Sequence, residues 1–377
     1  MTTIAVCGAG RMAEALVYDL QKFTKPGKII LVDNDQNRLA KFSGENLVKR
    51  HGDLSNPDFV RPFFEAADLA CGAASYKLNL QLSELAIAAG CHFVDMGGNN
   101  AAVERQFSLS DKAEAAGVTI IPDCGLAPGM ASILVAAAVS KLDEVESVKI
   151  RVGGLPQKPQ PPLNYALFFS PEGLLNEYRE AAVMIRDGKI VKRPSLEDVE
   201  TLAFPPNFPK LEAFNTSGGT STLPQTFAGK IENLAYKTIR YPGHCEQMRL
   251  LFDLGLATES ALQVDGLEVA PARVLERLLA EKLPVSDQDV VLVRVEAVGK
   301  KNGQTRRLTY EIEDYFNPET GHTAMQRTTA YSVAIIMQMI AEGNIRERGT
   351  LRLEAGIDPV RFIALLAERG IDLRISE

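Results

Sequence analysis

The sequence predicts an α/β protein: a Rossmann domain on a parallel sheet, then a second α/β domain on an open, mostly antiparallel sheet. Three observations carry this. Short apolar, β-rich runs alternate with helical patterns over residues 1–125. A Gly-x-Gly-x-x-Ala pattern sits between the first run and the first helix. Far downstream, two alternating runs flank Asn302-Gly303, a dipeptide suited to a type I′ hairpin turn.

In chain order, "TIAVC" is a short strand. "RMAEALVYDLQKF" then places Met12, Leu16, Val17 and Leu20 at helical spacing. "KIILVD", "DLACGA", "HFVDM" and "VTIIPD" are further strands, with helical "LQLSELAIAAG" and "AAVERQFSLSDKAEAAG" between them. Buried strands alternating with helices imply right-handed crossovers and a parallel sheet, with "VTIIPD" as its last strand. "APGMASILVAAAVSKL" reads as a helix with Pro at or near its first turn, where the missing N–H costs nothing. The character changes near Ile150, where five prolines between Pro156 and Pro171 make "RVGGLPQKPQPPLNYALFFSPEG" an irregular excursion. Val291, Val293 and Val295, then Leu308, Tyr310 and Ile312, form an antiparallel hairpin. The long helix "TAMQRTTAYSVAIIMQMIAEG" follows and stops at Gly343.

Composition narrows the function. A chain of 377 residues suggests two domains, and 46% apolar with 24% charged residues excludes a disordered profile. A net charge of −7 with mixed signs argues against a nucleic-acid surface and for small-molecule chemistry. No apolar run reaches the ~18 residues of a membrane span. "MTTIAVCGAG" lacks the leader and apolar core of a signal peptide. Five scattered cysteines (Cys7, Cys71, Cys91, Cys124, Cys245) have neither disulfide-framework nor metal-ligand spacing, and read as reduced thiols of a cytoplasmic protein.

The glycine pattern points to a dinucleotide. Gly8 permits a tight turn, Gly10 lets backbone approach a pyrophosphate, and Ala13 allows close helix–strand packing. Arg11 and Met12 open the helix, whose N–H groups and dipole favour phosphate. Asp33 ends the second strand, 25 residues after Gly8. A carboxylate there accepts from the ribose 2′-hydroxyl of NAD and repels the 2′-phosphate of NADP. NAD is the expected cofactor, with NADP open because Arg38 lies close by. Asp53 is placed near the adenine, Ala74 and Ser75 along the cofactor's middle, and Asp95 ahead of Gly97-Gly98. All fall at strand ends, where open α/β sheets collect ligands; for each, a plain loop role is the alternative. Cys124, in "IPDCGLAPGM", is placed beside the nicotinamide end, or is a small buried side chain.

The stretches "CGAGRMA", "FVDMGGNN", "IPDCGLAPGM", "NTSGGTSTLPQTFAGKIENLAYKTIRYPGH" and "TAMQRTTAYSVAIIMQMIAEG", with the Pro-rich excursion and its "LLNEY" extension, resemble the saccharopine dehydrogenase-like family, above all its lysine 6-dehydrogenase branch. The resemblance implies a Rossmann domain of residues 1–125 rejoined by 323–377, a substrate domain of 126–322, substrate between the two, and a homodimer. It also implies an NAD-dependent oxidative deamination at the lysine ε-carbon, giving 2-aminoadipate 6-semialdehyde and ammonia. Saccharopine reductases must hold an extra glutamate moiety, and carry an Arg after the Asn corresponding to Asn215. Here Thr216 stands in that place, and the chain is shorter than is typical of them. A missing cation favours the smaller substrate. A saccharopine reductase-type enzyme and a non-catalytic dinucleotide-binding protein are the alternatives.

The implied reaction sets three demands. Arg240, in "KTIRYPGH", offers a bidentate fork to the substrate α-carboxylate, or is a surface Arg paired to an acid. The ε-ammonium must lose a proton. Of the four histidines, His51 and His92 fall in strand-like segments and His322 just before a helix. His244 follows Pro242-Gly243 at a helix start that favours neutral imidazole, and is the expected base or else a capping residue. Tyr165 and Asp95 are expected to orient the amine or the hydrolytic water, with a half-buried strand aromatic as the alternative for Tyr165. Asn215, Ser217 and Thr220 in "NTSGGTST" are expected at the α-amino or carboxylate end, or make a polar turn.

Overall fold

Seven strands form one parallel sheet, six from the first part of the chain and one from its returning end. They are β1 (Thr3–Cys7), β2 (Lys28–Asp33), β3 (Leu47–His51), β4 (Leu69–Gly72), β5 (His92–Asp95), β6 (Thr119–Ile121) and β17 (Gly349–Thr350). The computed structural model describes residues 2–377. The sheet order is β17-β6-β5-β4-β1-β2-β3. Ile4, Ala5 and Val6 are fully buried, because helices cover both faces of a parallel sheet and its strands must be apolar throughout. Strand β6 is not the last strand: β17 pairs beyond it, Gly349 with Thr119 and Thr350 with Ile120. Strands β2 and β4 flank β1 on opposite sides, which opens a crevice beyond the carboxyl end of β1.

This sheet belongs to the first of two units, Met1–Ala137 with Gln326–Asp372. Its core includes Val32, Phe64, Phe93 and Ile120. The returning segment is fastened by a buried ion pair. Arg369 donates to both Asp19 oxygens at 2.8 Å and to Gln338 Oε1 at 2.8 Å, with its guanidinium 4.3 Å from the Phe23 ring centroid.

The second unit is Ala138–Met325 with Leu373–Glu377. The compact units divide at 137/138 and 325/326, near the expected 125/126 and 322/323, and the last five residues group with the second unit. Both crossings fall inside helices, Met130–Val139 and Ala324–Ala341, so no linker composition marks them. The unit's sheet has nine strands: β7 (Glu144–Pro156), β8 (Ala182–Arg186), β9 (Lys189–Arg193), β10 (Glu200–Phe204), β11 (Phe208–Phe214), β12 (Ile231–Arg240), β15 (Asp289–Lys301), β16 (Gln304–Tyr315) and β18 (Leu373–Ser376). The main order is β10-β11-β12-β7-β15-β16-β18, with β8 on β12 and β9 on β8. The sheet is mixed: β7 and β12 run parallel, the other pairs antiparallel. A small hairpin, β13 (Leu262–Val264) and β14 (Leu267–Val269), stands apart from it.

Strand β7 runs through Pro156, so the first part of the supposed irregular excursion is regular strand, and Pro156 ends it. The β15–β16 turn is as expected. Asn302 and Gly303 have φ of 52° and 76°, the left-handed values a type I′ turn needs at both positions. Tyr165, Phe168, Leu174, Tyr178, Phe214 and Met248 build the core that concerns function. Among the described residues, no helix is long and apolar enough to cross a membrane.

Candidate functional site

In the first unit, β1 ends at Cys7 and the chain turns at Gly8, whose φ is 118° and whose N–H donates to Val32 O at 2.8 Å. A Cβ on Gly8 would lie 2.7 Å from the Ala73 carbonyl atoms, so the loops after β1 and β4 touch there. Gly10 is the opposite case, since a Cβ there would meet no atom within 4 Å. Gly10 also begins the helix Arg11–Asp19, and no side chain caps that end. Ala13 is fully buried, Arg11 exposed and Met12 half-buried. Asp33 Oδ2 accepts the Ala9 N–H at 2.6 Å, and Oδ1 accepts that of Asp35 at 2.8 Å. Arg38 is exposed and 3.4 Å from Asp35. Open space before Gly10, an uncapped helix end and a carboxylate on the neighbouring strand fit a dinucleotide pyrophosphate and ribose.

Other residues expected here divide. Ala74 and Ser75 are exposed beside the glycine loop, with Ser75 Oγ accepting from Lys77 N. Asp53 is exposed past β3 and accepts the N–H and hydroxyl of Ser55, which closes its own loop. Asp95 is fully buried. It accepts from Gln106 Nε2 and Gly97 N at 2.7 Å each and from Asp123 N at 3.2 Å. Burial pushes its pKa up, while Gln106 and the two N–H groups pull it back. It braces two strand-end loops and offers no exposed atom to a substrate amine, which corrects its expected orienting role. Cys124 takes the second of its two expected readings, a small buried side chain, and not a place beside the nicotinamide. It is fully buried and its Sγ donates to Ile121 O at 3.2 Å. Burial, then the charge of Asp95, raise its thiol well above the ordinary value, so it stays protonated and inert.

In the second unit, four elements converge on a buried polar cluster. The helix Pro171–Arg179 supplies Glu177 and Tyr178, β12 ends in Arg240, the helix His244–Asp253 begins with His244, and the Pro-rich segment brings Leu163 and Tyr165. Arg240 Nε donates to Tyr178 Oη at 3.2 Å, Nη1 to Ile239 O at 2.9 Å, and Nη2 to Glu177 Oε2 at 3.3 Å. Tyr178 Oη lies 3.0 Å from His244 Nε2, and His244 Nδ1 lies 3.1 Å from Leu163 O. A backbone carbonyl only accepts, so Nδ1 carries the proton and Nε2 accepts from Tyr178. Burial, then Arg240, push the His244 pKa down to about 3, so the ring is neutral.

This arrangement revises three expectations. His244 is at the helix start, but both nitrogens are engaged and the residue is 1% exposed, so it orients Tyr178 rather than meeting a substrate as base. Arg240 is buried and paired with Glu177, so its fork does not stand free for a carboxylate. Burial pulls its pKa down, but Tyr178, Tyr165 and Glu177 outweigh that and keep it cationic. Tyr165 is fully buried rather than half-buried, with its ring centroid 4.8 Å from the Arg240 guanidinium and 5.4 Å from that of His244.

The "NTSGGTST" residues serve the fold. Ser217 Oγ donates to Asn176 O and Thr220 Oγ1 to Val183 O, as a polar turn would have them. Asn215 is buried, and its Oδ1 has no partner among the described residues. Thr216 Oγ1 lies 2.7 Å from Thr238 Oγ1. Glu177 and Tyr178 are the residues the sequence reading passes over. A signal exists: Leu174, Leu175 and Tyr178 mark the buried face of their helix, and Glu177, three residues after Leu174, borders it. Among the described residues, no three His, Cys, Asp or Glu side chains converge as metal ligands would.

Comparison with known proteins agrees with this two-part architecture. The saccharopine dehydrogenase NADP binding domain matches residues 4–121, and the saccharopine dehydrogenase C-terminal domain matches residues 125–371. Alpha-aminoadipic semialdehyde synthase, mitochondrial, of Bos taurus is 26% identical over 246 residues, 63% of this chain and 26% of that protein. Carboxynorspermidine synthase of Vibrio alginolyticus is 25% identical over 288 residues, 73% of this chain and 67% of that protein. The chain thus spans about a quarter of the bovine relative's length. Apo saccharopine dehydrogenase (L-Glu forming) of Saccharomyces cerevisiae shares the fold, with a TM-score of 0.83 at 18% identity over 100% of this chain and 99% of that one. With the dinucleotide cradle inside the first match and the buried Arg240 cluster inside the second, the chain belongs to the saccharopine dehydrogenase family.

Proposed function

We propose that this protein is an NAD-dependent oxidoreductase acting on the ε-amino group of L-lysine. The reaction consumes L-lysine, NAD and water, which hydrolyses the imine left by oxidation; its products are 2-aminoadipate 6-semialdehyde, which cyclises to a piperideine carboxylate, with ammonia and NADH. The observation that carries the reading is the Gly8–Gly10 cradle braced by Asp33. Bound NAD accepts two electrons, with hydrogen, from the carbon that bears the amine. Gly8, Gly10, Arg11 and Met12 hold the pyrophosphate, Ala74 and Ser75 flank the cofactor's middle, Asp33 takes the ribose hydroxyls and Asp53 borders the adenine. The family's first domain is described as NADP binding. NAD is favoured here because a carboxylate ends β2 and Arg38 is drawn to Asp35.

Two observations support lysine as the substrate. The bovine relative is named for aminoadipic semialdehyde, the product proposed here. Thr216, where a reductase of the larger substrate would need a cation, is buried against Thr238. The test is NADH absorbance with L-lysine and NAD at alkaline pH. NADH formation is expected with L-lysine, slower with NADP in place of NAD. Turnover of saccharopine alone would move the substrate to the larger molecule. Dinucleotide binding without turnover on an amino-acid panel would make the protein a sensor or scaffold.

A further inference from the structure

Within the buried cluster of the second unit, the group that reaches solvent is a carboxylate. The Glu177 side chain is 33% exposed against 3% for Arg240, and Tyr178 and His244 are buried. All three nitrogens of Arg240 are turned to internal acceptors: Tyr178 Oη, the Ile239 carbonyl and Glu177 Oε2. Glu177 Oε2 takes that one bond, and Oε1 takes none from the described residues. A carboxylate has about four acceptor positions, so most of its capacity is not used by the described residues. Burial raises its pKa, and the Arg240 cation behind it pulls that back and fixes its position.

The surroundings suit a cation. The Tyr165 ring centroid lies 4.8 Å from the Arg240 guanidinium that pairs with Glu177, and Tyr178 follows Glu177 in the chain and accepts from the same guanidinium. Aromatic faces beside a carboxylate add quadrupole attraction to charge attraction for an ammonium ion. The Tyr236 ring is held close by Gly219, where a Cβ would lie 2.4 Å from ring carbons.

We infer that Glu177 binds an ammonium group of the substrate, with Arg240 as its internal counter-ion, and that the ligand class is a primary alkylammonium. The assignment rests on the amine-oxidising reading above and specifies which end of the substrate this cluster takes. It replaces a carboxylate clamp at Arg240 with an ammonium seat at Glu177.

The test is calorimetric titration of the full chain with hexylamine, an alkylammonium without a carboxylate, and with hexanoate, its converse. Wild type is expected to bind hexylamine more tightly than hexanoate. Glu177→Gln is expected to weaken hexylamine by about tenfold or more, the worth of one charge-assisted hydrogen bond, and to leave hexanoate unchanged. Equal hexylamine binding by both proteins, preference of wild type for hexanoate, or no hexylamine binding by wild type would each overturn the assignment. If Glu177→Gln does not fold, Glu177→Asp decides: it keeps the charge and must retain the preference for hexylamine at reduced affinity, and losing that preference overturns the assignment. The titration contains neither lysine nor NAD, so a failure of lysine turnover and a failure of this seat are read separately.

Discussion

The Nε–H of Arg240 donates to the phenolic oxygen of Tyr178 at 3.2 Å, and this contact sets the direction of the hydrogen bonds that follow. Tyr178, having accepted from Arg240, gives its own proton to His244 Nε2, and His244 gives its Nδ1 proton to the Leu163 carbonyl. Tyr178→Phe keeps the ring and deletes the oxygen that serves both neighbours. It leaves the Arg240 Nε–H and the His244 Nε2 buried without that partner. The expected loss is roughly 2–4 kcal/mol, since each unsatisfied buried group costs about 1–3 kcal/mol. Urea denaturation checks it, with an unchanged m-value showing that the folded and unfolded surfaces are the same. A loss below about 0.5 kcal/mol would mean that the relay contributes nothing.

His244 gives the protein an acid sensitivity of definite sign. Its pKa is pushed down to about 3 in the folded state, from an ordinary 6.5. Between those values the unfolded chain binds a proton that the folded chain does not. The stability tied to the neutral ring is complete above about pH 6.5 and drains as pH falls, by up to about 1.4 kcal/mol per pH unit. His244→Gln starts less stable, but is expected to lose less on acidification from about pH 7.5 to about pH 5. Urea titrations of both proteins at the two pH values measure the difference. Parallel losses would assign the acid sensitivity to another group.

What the chain reveals of its own fold depends on how local each feature is. Strands β1, β2, β4 and β5 are legible because both their faces are covered and each carries a buried apolar run. Strand β3 is an edge strand, "LVKRH", with three exposed residues and no pattern. Strand β17 is two residues long and exists because the returning segment lies beside β6. Gly8, Gly10, Ala13 and Asp33 are legible for the same reason as β1: the turn, the helix start and the next strand lie within one short stretch. The second cluster is not local. Arg240 and Glu177 are 63 residues apart on different elements, and no spacing rule says which acid an Arg meets. The position of His244 at a helix start follows from Pro242-Gly243. Its burial follows from Tyr165, Tyr178 and Phe214, which pack around it from other elements. Asp95 shows the same limit: a strand-end carboxylate reads as exposed until Gln106 is found over it.

Asp33 is expected to set the choice between the two dinucleotides. Replacing it with Ser removes the charge that repels a 2′-phosphate and the acceptor that favours a 2′-hydroxyl. The ratio of kcat/KM for NAD to that for NADP should fall about 10–100-fold, the range of one charge-assisted hydrogen bond. Asp33 also holds the Ala9 N–H, so the melting temperature should drop modestly as well. An unchanged ratio with a lowered melting temperature would confine Asp33 to bracing the loop.

The two glycines of the turn separate the fold from the ligand. Gly8 has a φ of 118°, and a Cβ there would sit 2.7 Å from the Ala73 backbone. Gly8→Ala therefore meets backbone strain and a clash with atoms that cannot rotate away, and should cost about 2 kcal/mol or more in stability. Gly10 has φ −78° and ψ −176°, extended values open to any residue, and its Cβ would enter space with no atom within 4 Å. Gly10→Ala should leave the melting temperature nearly unchanged, because surface-facing changes of this kind stay within about 0.5 kcal/mol. On the proposed reading the same methyl group stands where the pyrophosphate would approach the backbone, so the Kd for NAD should rise at least about tenfold. Equilibrium titration with NAD and a thermal melt on the same sample read both quantities. If Gly10→Ala binds NAD as tightly as wild type, the open space before Gly10 is not the pyrophosphate's, and the dinucleotide must be sought elsewhere on the first unit.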